Sequence, residues 1–250
     1  MFFLALFVIF GISSVSKVNL GFKLIGLPPL RREYKVILSK YFRFYRELEG
    51  ERKKEFEKRV QYFIKSKKFI PRNFDKVTDE MKVLISATAI QLTFGFPNVY
   101  LSHFKRILIY PDNYYSTINK LYHQGEVNPL NQLIVISWSN FLRGLENMDD
   151  GINLGLHEMA HAIRLENQIR NSEYQFMNPG HILLWEELAT REIIKIRSGQ
   201  QSFFRKYGGT DHEEFFAVAV ENFFERPELF RQYHPEMFLA MGRLLQQIPD

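Results

Sequence analysis

Apolar and polar positions follow two rhythms along this chain. In "REYKVILSKYFRFYRELEGERKKEFEKRVQYFIKSKKF", residues 32–69, apolar side chains recur three and four apart, with a break near Gly50, which predicts two helices. "VTDEMKVLISATAIQLTFGF" opens with Thr78 as a capping acceptor and with Asp79 and Glu80 in the first turn, so a capped and then buried helix is expected. Two compact apolar runs, "RILIY" ahead of Pro111 and "QLIVISW" after "GEVNPLN", predict strands. Asp150-Gly151 punctuates the chain before a helix over "GINLGLHEMAHAIRLEN". "ILLWEELATREIIKIR" predicts another amphipathic helix, and residues 213–247 predict two more, separated near Pro227 to Pro235. Strands do not alternate with helices, so the expected class is α+β, mainly α, with helices around a small sheet.

The start of the chain breaks this pattern. "MFFLALFVIFGISSVS", residues 1–16, has no charged side chain before Lys17. Its length is at the short edge for a bilayer, which takes about 20 residues. A signal peptide would offer the small-x-small end Ser14-Val15-Ser16 but would carry a basic start, absent here. A core helix apolar all round is unusual at a free terminus. The cations that follow, Lys17, Lys23, Arg31, Arg32 and Lys35, suit the cytoplasmic flank of an anchor. The expectation is therefore a membrane anchor over 1–16, a stiff linker over 17–32 ending in "GLPPLRR", and a domain over 33–250 facing the cytoplasm. Export after signal-peptide cleavage is the alternative.

Composition narrows the chemistry. A hydrophobic fraction of 46% with 24 Phe supplies a sizeable core. The net charge of +5 comes from stretches such as Arg52 to Lys68, where Glu51, Glu55 and Glu57 are interleaved, so it reads as a solvated helix face and not a nucleic-acid footprint. There is no Cys, which removes disulfides and thiolate ligands and leaves His and carboxylate for any metal.

His157 and His161 lie four apart, so a helix aims both imidazoles at one point, with Glu158 beside them able to touch a water there. A zinc ion takes a third protein ligand and leaves a position for water. His181, Glu186, Glu187, Glu213, Glu214 and Glu221 all lie downstream, and spacing does not choose among them. Glu221 is also placed to orient a ligand histidine. His103, His123, His181, His212 and His234 read as structural or surface residues, and "QLIVISW" as an ordinary sheet strand first, with an edge strand that pairs with a substrate backbone as the alternative.

"ILIYPDNY", "HQGEVN", "VISWSNF", "GINLGLHEMAHAIRLEN", "YGGTDHEEFFAVAVENFFERPELF" and "LLQQIPD", in this order, resemble the zinc peptidases related to Mlc titration factor A, a group of zincin-like metallopeptidases. The resemblance implies a zincin-like fold, one Zn2+ per chain held by His157, His161 and Glu214, Glu158 as base and Tyr207 as helper. Gly208 and Gly209 would provide the turn that swings Tyr207 over the site. It further implies hydrolysis of peptide bonds in peptide or protein substrates by metal-activated water, in an aminopeptidase-like manner. The competing implication is a regulatory protein that sequesters a transcriptional repressor and whose zinc is structural.

Overall fold

The computed structural model describes residues 26–116 and 120–249. Three helices open the described chain: α1 (Arg32–Tyr41), α2 (Arg43–Glu47) and α3 (Gly50–Ser66). The expected pair is thus three, because the chain turns extended at Phe42 and again at Leu48 and Glu49. Gly50 starts α3 at φ 52°, a conformation that favours glycine. Leu30 is buried, and Arg31 pairs with Asp79 at 2.7 Å, fastening the start of α1 to the next long helix.

That helix is α4 (Asp79–Thr93), and Thr78 caps it as expected, its hydroxyl accepting from the Met81 amide at 3.2 Å. Its residues are buried on nearly every side, which matches the absence of charged side chains after Lys82.

A four-stranded sheet runs β1 (Lys68–Pro71), β2 (Arg106–Tyr110), β6 (Leu133–Ser137), β5 (Gly125–Asn128). The first three are mutually parallel; β5 pairs antiparallel with β6, Gly125 opposite Ile136. Successive strand side chains point to opposite faces. Ile107, Ile109, Ile134 and Ile136 therefore enter the main core beneath the helices. Leu108 and Val135 turn the other way, where Tyr114 from the hairpin β3 (Tyr114–Ser116) and β4 (Leu121–His123) covers them. The strand over "QLIVISW" is internal, the ordinary sheet strand of its two readings, and β5, with one side unpaired in the sheet, is the edge beside the site.

Beyond the sheet come α5 (Trp138–Glu146), α6 (Leu154–Gln168), α7 (Pro179–Arg197), a 3-10 turn (Lys206–Gly209), α8 (His212–Glu225), α9 (Pro227–Tyr233) and α10 (Pro235–Leu245). The interval expected to separate the carboxyl-terminal pair of helices is itself a helix, since Pro227 and Pro235 each occupy a first-turn position where no amide donor is needed. One continuous core reaches from Leu30 to Leu245. The molecule is α-rich with a small sheet, an α+β architecture.

The expected membrane location is corrected. Among the described residues no helix is long and apolar enough to cross a membrane, and residues 1–16, the expected anchor or signal peptide, lie outside them.

Candidate metal centre

Helix α6 starts where it does because Asn153 caps it, Oδ1 accepting from the Leu156 amide at 2.9 Å. Gly155 lets α5 approach closely: a Cβ there would lie 2.5 Å from the Phe141 ring. One turn into α6, His157 and His161 stack on the same face with Nε2 atoms 3.1 Å apart. Asp211 caps α8 by accepting from the Glu214 amide at 2.9 Å, and this sets Glu214 in the first turn against α6.

Glu214 Oε2 lies 3.1 Å from His157 Nε2 and 3.6 Å from His161 Nε2. Zinc bonds of about 2.0–2.1 Å in tetrahedral geometry hold ligand atoms roughly 3.3–3.4 Å apart. The three donors already stand near that spacing, so the residues fit a metal ion. The donor chemistry fits as well, two imidazoles and a carboxylate oxygen. Glu214 Oε2 is buried without a well-aligned hydrogen-bond donor, a situation that a shared cation would relieve.

Electrostatics are consistent with this convergence. Burial pulls the His157 pKa down, but hydrogen bonds to Glu214 and Glu221 outweigh it and raise the value. Burial pushes Glu214 up, and the His157 and His161 imidazoles beside it reverse this and hold its carboxyl well below the usual range. Glu158 behaves differently. Burial raises it, the neighbouring imidazoles offset only some of that rise, and it comes to about 7, near the value wanted of a general base.

Behind His157, Glu221 on α8 takes Nδ1 at 2.6 Å, which leaves Nε2 free to face the centre. Arg205 grips both oxygens of Glu221 at 2.7 Å and also donates to the Gly151 carbonyl. Asn153 adds its backbone amide to Glu221 Oε2 at 2.8 Å. Arg205 had no signal in the sequence, being one cation in a loop.

Tyr207 stands in the 3-10 turn, its ring centroid 5.9 Å from that of His157. Burial and then Glu214 push its hydroxyl to about 12, so it stays protonated as a donor. Gly208 and Gly209 lie in that turn, as expected, and neither takes a positive φ. Gly209 is small because a Cβ would meet Ile196 of α7 at 2.6 Å.

The other candidate ligands are engaged elsewhere. Arg164 of α6 holds Glu186 at 2.6 Å and Glu213 at 2.9 Å, and His212 Nδ1 lies 2.5 Å from Glu186. Glu187 pairs with Arg191 on the exposed side of α7, and His181 sits in that helix's first turn. His103 meets the Pro129 carbonyl at 2.8 Å, and His234 packs on Phe203 and Phe204. His123, expected to be structural or on the surface, lines the cleft together with Glu158. Gly125 of β5 was not anticipated either: a Cβ there would lie 2.4 Å from Glu158 Oε1, so glycine makes room for that carboxylate.

The model of the glucose-regulated metallo-peptidase M90 family matches residues 23–246. The chain belongs to that family. Membership places it among metallopeptidases, and the resemblance read from the motifs holds at family level. The chain is 26% identical over 208 residues to Mlc titration factor A of Pectobacterium atrosepticum, covering 75% of this chain and 76% of that protein. It is 27% identical over 209 residues to the Enterobacter sp. protein of the same name, at 75% and 76% coverage. An uncharacterized protein of Synechocystis sp. shares 24% identity over 230 residues, covering 86% of this chain and 84% of its own length.

Proposed function

We propose that residues 33–250 form a zincin-like, zinc-dependent peptidase unit that hydrolyses peptide bonds. The observation that carries this is the convergence of His157, His161 and Glu214 on one point with Glu158 buried alongside in an open cleft. His157, His161 and Glu214 would hold the ion. Held there, it would supply Lewis acidity towards water and a carbonyl oxygen. Glu158, at about 7, accepts the proton of the attacking water and hands it to the leaving amine. Tyr207 donates its hydroxyl proton in a hydrogen bond to the carbonyl oxygen as charge develops. Glu221 and Arg205 keep the His157 ring from turning. The free side of β5 hydrogen-bonds an extended substrate backbone.

The test is Glu158→Gln. It is expected to keep the metal and abolish hydrolysis of a mixed peptide library that the unaltered protein cleaves and a chelator protects. Full hydrolysis by the variant would refute the mechanism. The name Mlc titration factor A, borne by several relatives, favours a second reading in which the protein sequesters a transcriptional repressor and the metal is structural. In that case the unaltered protein would cleave nothing and Glu158→Gln would leave repressor binding intact.

A further inference from the structure

The cleft has two ends of different charge. On one side of Glu158 a cavity of about 560 Å³ is lined by residues 122–125 together with Asn140, Arg143, Asp150 and Arg205. On the other side a cavity of about 540 Å³ is lined by residues 125–127 with Gln168, Glu213 and Glu214. Glu213 pairs with Arg164 and Arg205 with Glu221, so those charges are offset, whereas Glu126 accepts from Tyr114 and Asn128 and Asp150 from the Ile152 amide, neutral donors that leave the carboxylate charge in place. Arg143, exposed on α5, differs: its charge is felt by Asp112, but it makes no side-chain hydrogen bond or ion pair among the described residues.

Direction then matters. The chain through β5 runs from the Arg143 cavity towards the Glu126 cavity. An extended peptide pairing antiparallel with β5 runs the opposite way, amino end at Glu126 and carboxyl end at Arg143. A guanidinium matches a carboxylate with two parallel hydrogen bonds. We infer that Arg143 receives the carboxy-terminal carboxylate of the substrate, so that the substrate class is short peptides with a free carboxyl terminus, not internal segments of folded proteins. This rests on the peptidase reading for the identity of the cleft and on antiparallel pairing of the substrate with β5.

The experiment compares short peptides that differ only in a free or amidated carboxyl terminus. Their binding to metal-loaded Glu158→Gln protein is measured by calorimetry, so that turnover does not intervene. The free acid is expected to bind roughly two- to fivefold tighter, the usual worth of an ion pair at an exposed site. Arg143→Gln should bring the ratio near one, and Arg143→Lys should restore some of it. Equal binding of acid and amide, a ratio unchanged by Arg143→Gln, or no binding of either peptide would overturn the inference. Cleavage of the same pair by the unaltered protein is scored separately: no cleavage refutes the peptidase reading, whereas the binding ratio still decides Arg143.

Discussion

Single side chains decide the centre, and they were unequally visible. His157, Glu158 and His161 announce themselves because helical geometry turns a spacing of four into a shared face. Glu214 does not, since Glu186, Glu187 and Glu213 are equally good carboxylates on equally plausible helices. Spatial partners separate them: Arg164 takes two, Arg191 takes one, and Glu214 alone of the four reaches both Nε2 atoms. Glu214→Ala is therefore expected to reduce bound metal well below one per chain by elemental analysis, and Glu187→Ala to leave it unchanged; the reverse pattern would move the third ligand. Gly125 makes the complementary prediction. Gly125→Ala forces the Glu158 carboxylate to shift, and a displacement near 1 Å costs on the order of 100-fold in rate. kcat should fall by about that factor while metal content stays intact; a kcat near that of the unaltered protein would show that Glu158 has room to spare.

At the level of elements, long helices and the five-residue apolar strands β2 and β6 were legible, and the shorter strands were not. Residues 154–168 and 179–197 carry periodic apolar faces and clear capping, so their position follows from local chemistry. The four-residue strands β1 and β5 have no such period, and "GEVN" reads as a turn until β6 supplies a hydrogen-bonding partner. The apolar run of β6 shows burial but not its place in the order, which is why it left both an internal and an edge position open until pairing assigned the edge to β5. Coupling between elements has a test of its own. Glu221 connects α8, α6 and the loop of Arg205 through His157 Nδ1. Glu221→Gln should lower metal affinity about 10- to 100-fold in a chelator competition, as loss of such supporting carboxylates does. An unchanged affinity would mean that packing alone orients the ring.

Across the whole molecule, a buried carboxylate links stability to pH. Glu225 accepts from Asn153 Nδ2 at 2.9 Å, while its Oε2 is buried without a partner and Glu221 and Asp150 lie near. Burial, chiefly, raises it from 4.5 to about 8. The fold thus retains a proton that the unfolded chain releases above 4.5, and this group makes stability decline as pH rises from 4.5 towards 8. Glu225→Gln, which keeps an acceptor for Asn153, should raise Tm at pH 8 and change it little at pH 5. Equal Tm changes at both pH values would contradict the shift.

Local order along the chain settled the helical character, the apolar supply for one core and the paired imidazoles, because each depends on neighbours within a turn or two. The third ligand, the edge strand, the glycine beneath Glu158 and the Arg205 to Glu221 clasp join residues up to 68 positions apart. Only folding, which trades chain entropy for burial around α6 and α8, brings such groups together.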